Sequence, residues 1–140
     1  MKKRNKIFID TSFWIALIDS KDQSHSLSLD IFTMIEEEYL PVTSDFVVYE
    51  TVTYLNCSLK NNKAAMQFIG MVNESKIPVL PVDSEIRDLA FDILSNYNDK
   101  PLSFTDCTSF AIMKREDIRF TAAFDKHFKI MGFETLHNNL

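Results

Sequence analysis

Short apolar, β-prone runs alternate with helix-length amphipathic segments, and this alternation limits the folds open to the chain more than any other feature. Residues 7–9, 41–43, 79–82, 120–124 and 133–136 have the length and side chains of strands. Residues 12–18, 24–38, 44–59, 61–73, 84–96 and 103–115 read as the helices between them. One of these carries Ile86, Leu89, Ala90, Ile93 and Leu94 as a single apolar stripe. Strands joined through helices must run parallel, since only a crossover returns the chain to the same edge. The expected fold is α/β, a three-layer α/β/α domain whose central parallel sheet has four to five short strands flanked by helices. A length of 140 residues suits one domain, residues 1–140, without repeats, low-complexity tracts or linkers.

The chain has only two glycines, Gly70 and Gly132. Phosphate-cradling P-loops, dinucleotide-binding turns and nucleophile elbows each need several residues without a Cβ, so all three are excluded. His25, His127 and His137 match no zinc spacing. Lys and Arg total 15 against 20 Asp and Glu, a net charge of −5, which argues against holding nucleic acid by charge alone. Cys57 and Cys107 form no C-x-x-C pair and read as buried free thiols in a reducing compartment. The basic start is followed by an apolar run that Asp10 interrupts at once, so no signal peptide is expected. No stretch is long and apolar enough for a membrane span, and the expected location is the cytoplasm.

Four acidic residues stand out against this background. Asp10 ends the first strand, where ligands bind in open parallel sheets. It could cap the next helix, but Thr11 and Ser12 are available for capping and would leave it free. Glu50 lies inside a helix with Phe46, Val47 and Tyr54 on its face, too far from the start to cap it. Asp106 falls in Ser103-Phe104-Thr105-Asp106, the pattern of a capping box, and could still face a cleft from the helix start. Asp125 follows the strand at 120–124 and precedes Lys126, His127 and Lys129. Carboxylates that converge repel one another unless a cation sits among them. Convergence of these four points to divalent-metal chemistry on phosphates.

The pieces Ile7-Phe8-Ile9-Asp10-Thr11-Ser12, Val48-Tyr49-Glu50-Thr51-Val52, Ser103-Phe104-Thr105-Asp106-Cys107 and Phe124-Asp125-Lys126-His127-Phe128, in this order, resemble the PIN-domain ribonucleases. The match spans nearly the whole chain and looks most like the small prokaryotic branch that includes the toxins of VapBC-type toxin–antitoxin pairs. The resemblance implies an endoribonuclease dependent on Mg²⁺ or Mn²⁺, cutting RNA to leave 5′-phosphate and 3′-hydroxyl ends. It implies a metal-binding and catalytic quartet of Asp10, Glu50, Asp106 and Asp125, assisted by Thr11, Ser12 and Thr105. Lys114, Arg115, Lys126 and Lys129 are the candidate contacts to substrate phosphates. An RNA substrate, an antitoxin protein and a homodimer are the expected partners, with Phe13 and Trp14 read as core residues rather than dimer contacts. Many members carry Thr or Ser two residues before the last Asp, where this chain has Ala123.

Two other readings compete. A PIN-like nucleic-acid-binding or scaffold module without turnover would be favoured by a missing carboxylate, and all four are present. A phosphoacceptor domain would want a second acidic residue beside Asp10, where Ser12 stands instead.

Overall fold

The computed structural model describes residues 3–136, so His137 and the first two residues of the basic start lie outside it. Its elements run β1 (Asn5–Ile9), α1 (Thr11–Ile18), α2 (His25–Glu38), β2 (Tyr39–Ser44), α3 (Asp45–Thr53) and α4 (Asn62–Glu74). They continue through β3 (Val79–Leu80), α5 (Ser84–Asn96), α6 (Phe104–Arg115), β4 (Phe120–Ala122), α7 (His127–Ile130) and β5 (Glu134–Thr135). The strands form one sheet in the order β3-β2-β1-β4-β5, and every pairing is parallel.

β1 is the middle strand, and it is central because Ile7, Phe8 and Ile9 can be apolar on both faces. Its neighbours are β2, with Phe8 opposite Val42, and β4, with Ile9 opposite Ala122. Two buried threonines pin these ends without leaving a polar atom unpaired: Thr43 Oγ1 donates to the Ile9 carbonyl at 2.9 Å and Thr121 Oγ1 to the Phe8 carbonyl at 2.8 Å. Right-handed crossovers put α1 to α4 on one face of the sheet and α5 to α7 on the other. Each face has its own aromatic cluster, Trp14 with Phe32 and Phe68 on the first, Phe110 with Phe128 and Phe133 on the second. Phe13 and Trp14 are core residues, as expected.

The order of strands reverses at β1. The chain steps from β1 to β2 and β3 on one side, then returns across the sheet to β4 and β5 on the other. A crevice must open where neighbouring loops diverge, beyond the carboxyl ends of β1 and β4.

Several local expectations are corrected. Helix α1 begins at Thr11 because Asp10 itself is the cap, accepting from the Ser12 N–H. The helix expected over residues 44–59 stops being α-helical at Thr53, and Tyr54–Ser58 widens into a π-helical turn. Tyr54 N–H reaches the carbonyls of both Glu50 and Thr51, and Lys60 then turns the chain with a φ of 52°. That turn carries Cys57 outward, so Cys57 is exposed and only Cys107 is buried. On α5, Ile86, Ala90 and Ile93 pack inward, whereas Leu89 and Leu94 face solvent, because one ridge suffices for packing on the neighbouring helix. Helix α7 went unanticipated, being a single short turn. Among the described residues no helix is long and apolar enough to cross a membrane.

Candidate active site

A cleft of about 540 Å³ opens beyond β1 and β4, and Asp10, Glu50, Asp106 and Asp125 all line it. They arrive from separate parts of the chain. Asp10 follows β1, Glu50 sits on α3, Asp106 occupies the first turn of α6, and Asp125 lies in the loop between β4 and α7.

Two of the carboxylates cap helices and line the cleft at once. Asp10 Oδ2 accepts from the Ser12 backbone N–H at 3.1 Å and from the Ser12 hydroxyl at 2.7 Å. Asp106 completes a reciprocal capping box, accepting from Ser103 N–H at 3.2 Å while its own N–H donates to Ser103 Oγ at 3.0 Å. Capping and cleft-facing are therefore not alternatives here. Each cap fixes the carboxylate it employs and leaves oxygen lone pairs for a ligand.

Asp125 is held differently. Its Oδ1 accepts from the His127 backbone N–H at 2.8 Å, and the His127 ring Nδ1 also lies 2.8 Å from that oxygen. Among the described residues Nδ1 has no partner in hydrogen-bond alignment. Ligand atoms of Asp106, Asp125 and His127 all lie within 4.8 Å of one another.

Charge confined in this way resists ionisation. Burial pushes Asp10 up to about 7, with the Asp106 and Asp125 charges adding to it and the Ser12 hydrogen bonds opposing it. Asp106 is raised to about 6, by burial first and then by Asp125, against the bonds from Ser103, with Glu50 adding a smaller push. Acidic groups held this far above their ordinary range mark a site that wants a positive charge. The lining fits a hard divalent cation, being rich in carboxylate oxygen; Asp106, Asp125 and His127 bring ligand atoms within reach of one ion, while Asp10 and Glu50 line the same cleft outside that group. Among the described residues, the buried Thr11 Oγ1 beside it finds no hydrogen-bond partner.

The supporting residues divide. Ser12 and Thr11 line the cleft, whereas Thr105 lines an adjoining hollow one residue from Asp106. Lys126 and Lys129 are exposed next to Asp125. Lys114 and Arg115 are not brought to the cleft, because they end α6, roughly 13 Å along the helix axis from Asp106. Arg115 is instead committed to Asp83, at 2.9 and 3.0 Å, with Glu85 and Glu116 close by. The sequence reading also missed Asp22, which joins the cleft from the loop between α1 and α2 and accepts from Ser24 N–H at 2.8 Å. Its Asp-x-Ser setting looks like any loop turn, so nothing local signals that position.

This sheet, with its acidic crevice at the strand-order reversal, defines a class of protein: the chain belongs to the PIN-domain family, which it matches over residues 7–134. Over 127 residues it is 32% identical to the 23S rRNA-specific endonuclease VapC20 of Mycobacterium tuberculosis, spanning 91% of this chain and 95% of that one. The crystal structure of VapC20, described as a Sarcin-Ricin loop cleaving toxin, has a TM-score of 0.84 at 31% identity, covering 91% of this chain and 95% of the other. FitAcB from Neisseria gonorrhoeae shares the fold, with a TM-score of 0.65 at 17% identity over 92% of this chain and 95% of its own.

Proposed function

We propose that this chain is a divalent-metal-dependent endoribonuclease and the toxin of a toxin–antitoxin pair. The observation that carries the reading is the meeting of Asp10, Glu50, Asp106 and Asp125 in one cleft of a PIN domain. VapC20, at 32% identity over nearly its full length, is named for 23S rRNA, and we extend ribosomal RNA to this chain as the substrate to try first.

Asp10, Asp106 and Asp125 would hold Mg²⁺ or Mn²⁺, with Glu50 binding directly, binding through water, or orienting the nucleophile. When bound there, such an ion would make a water easier to deprotonate and would offer positive charge to the leaving oxygen. The chain supplies position. Ser12 fixes Asp10, Ser103 fixes Asp106, and the His127 N–H fixes Asp125. Lys126 and Lys129, exposed on the segment that follows Asp125, would supply positive charge to the phosphates of an entering strand.

An antitoxin that masks the cleft, a homodimer and a cytoplasmic location complete the proposal. A non-hydrolytic scaffold is disfavoured, because a scaffold has no use for four carboxylates held together against their repulsion. The test is cleavage of a panel of RNAs, ribosomal fragments among them, with Mg²⁺, Mn²⁺ or EDTA. Metal-dependent cutting that disappears in Asp10→Asn supports the reading, and cutting that persists in that variant overturns it.

A further inference from the structure

A second hollow of about 420 Å³ adjoins the acidic cleft, and Glu50 and Tyr54 line both. Its other walls are Phe46, Tyr49, Thr53, Ser58 and Thr105. Three aromatic rings thus surround a space whose one ionisable carboxylate belongs to the cleft next door. Tyr49 is 63% exposed and Tyr54 41%, an unusual display of ring surface beside a charged site. Phe46 is braced from behind, edge-on to Phe104 at 6.1 Å, and Phe104 in turn meets Phe91 at 5.2 Å.

The π-helical turn sets this arrangement. It begins at Tyr54, whose N–H bridges the Glu50 and Thr51 carbonyls, and Tyr54 and Glu50 line the hollow together. It brings Ser58 into the same wall. Single π-helical turns inside helices are uncommon and concentrate at functional sites.

We propose that this hollow is a nucleobase-stacking subsite, holding an unpaired base of the RNA strand whose phosphate enters the acidic cleft. The inference rests on the nuclease reading above. Three considerations select a base as the occupant. The hollow adjoins the cleft at Glu50 and Tyr54, so a strand with a phosphate in the cleft can lay a neighbouring base in the hollow. The chain carries a net charge of −5 and its cleft is acidic, so attraction to phosphate cannot alone hold a polyanion. Unpaired RNA is commonly held by splayed bases on Tyr and Phe, an interaction insensitive to charge. The Thr53, Ser58 and Thr105 hydroxyls on the rim can meet base edges as either donor or acceptor.

The test uses the full chain carrying Asp106→Asn, so that RNA is bound and left uncut. The probe is a short single-stranded RNA with 2-aminopurine at one position at a time. Quenching at one or two adjacent positions is expected, together with affinity that falls by between about 5-fold and 100-fold in Tyr49→Ala and Tyr54→Ala. Tyr49→Phe and Tyr54→Phe should keep both affinity and quenching, since the ring does the work. Unchanged affinity in both alanine variants overturns the subsite. So does an altered sedimentation coefficient with unaltered RNA affinity, which would make this face a contact between copies of the chain. The nuclease reading fails separately: wild-type protein that cuts no RNA with metal sinks that reading, while the quenching still decides the subsite.

Discussion

The Ser12 hydroxyl donates to Asp10 at 2.7 Å and accepts from the Phe124 backbone N–H at 2.9 Å. One small side chain therefore ties the end of β1 to the segment after β4, and sets Asp125 relative to Asp10. Replacing Ser12 with Ala would take the shorter of two hydrogen bonds from Asp10 Oδ2, leaving the one from the Ser12 backbone N–H, and would leave the Phe124 N–H without this acceptor. A loss of about 1–3 kcal/mol in unfolding free energy is expected, read by urea denaturation. Cleavage should fall with it, even at temperatures where the variant is fully folded.

Metal-free stability should decline as pH rises from about 4 to about 7. Asp10 and Asp106 are raised to about 7 and about 6 in the folded protein from ordinary values near 3.8. Across that window the folded state binds more protons than the unfolded chain, so stability falls with increasing pH. Asp10 alone accounts for a change on the order of 3–4 kcal/mol. Denaturation in EDTA at several pH values checks this, and Asp10→Asn should flatten most of the slope.

Divalent metal should reverse that trend. Binding to the folded cluster alone gives a gain of about 2.7 kcal/mol at about 100 times Kd. Mg²⁺ or Mn²⁺ should therefore raise the melting temperature at pH 8, and do so much less at pH 5, where protons compete for the same oxygens. A calorimetric scan at both pH values reads the difference. An equal shift in Asp10→Asn would count against the cluster.

Asp106→Asn separates chemistry from folding. An asparagine oxygen can still accept from the Ser103 N–H, so the capping box survives and the melting temperature without metal should hold or rise. Cleavage should drop by at least about 100-fold if Asp106 binds the ion on which the reaction depends. Wild-type cleavage from this variant would remove Asp106 from the site.

Arg115→Ala should leave RNA affinity and cleavage unchanged. Its guanidinium is occupied by Asp83, at the end of α6 away from the cleft. Lys126→Ala and Lys129→Ala should instead weaken binding more at low salt than at high. A salt titration of RNA affinity distinguishes the two groups.

The strands, the helices and the cluster were legible in the sequence because each left a local mark. Ile7, Phe8 and Ile9 announce a strand covered on both faces, and a glycine-poor chain narrows the chemistry. Glu50 was informative because a carboxylate in mid-helix has no capping role. What stayed hidden depended on position in space. Asp22 looks like any loop aspartate until the loop is folded over the cleft. Arg115 looks like a phosphate ligand until the length of α6 carries it away. The π-helical turn after Thr53 has no side-chain signature, so the exposure of Cys57 and the display of Tyr54 could not be read beforehand.

The pairing of Ile9 with Ala122 has a consequence for synthesis. The middle strand of the sheet waits for a neighbour made more than a hundred residues later, and Asp125 follows that neighbour. A nascent chain not yet past Asp125 lacks the full set of carboxylates that line the cleft. Strand order thus sets a sequence of events: the acidic cleft is completed only after β4 has been made and has docked beside β1.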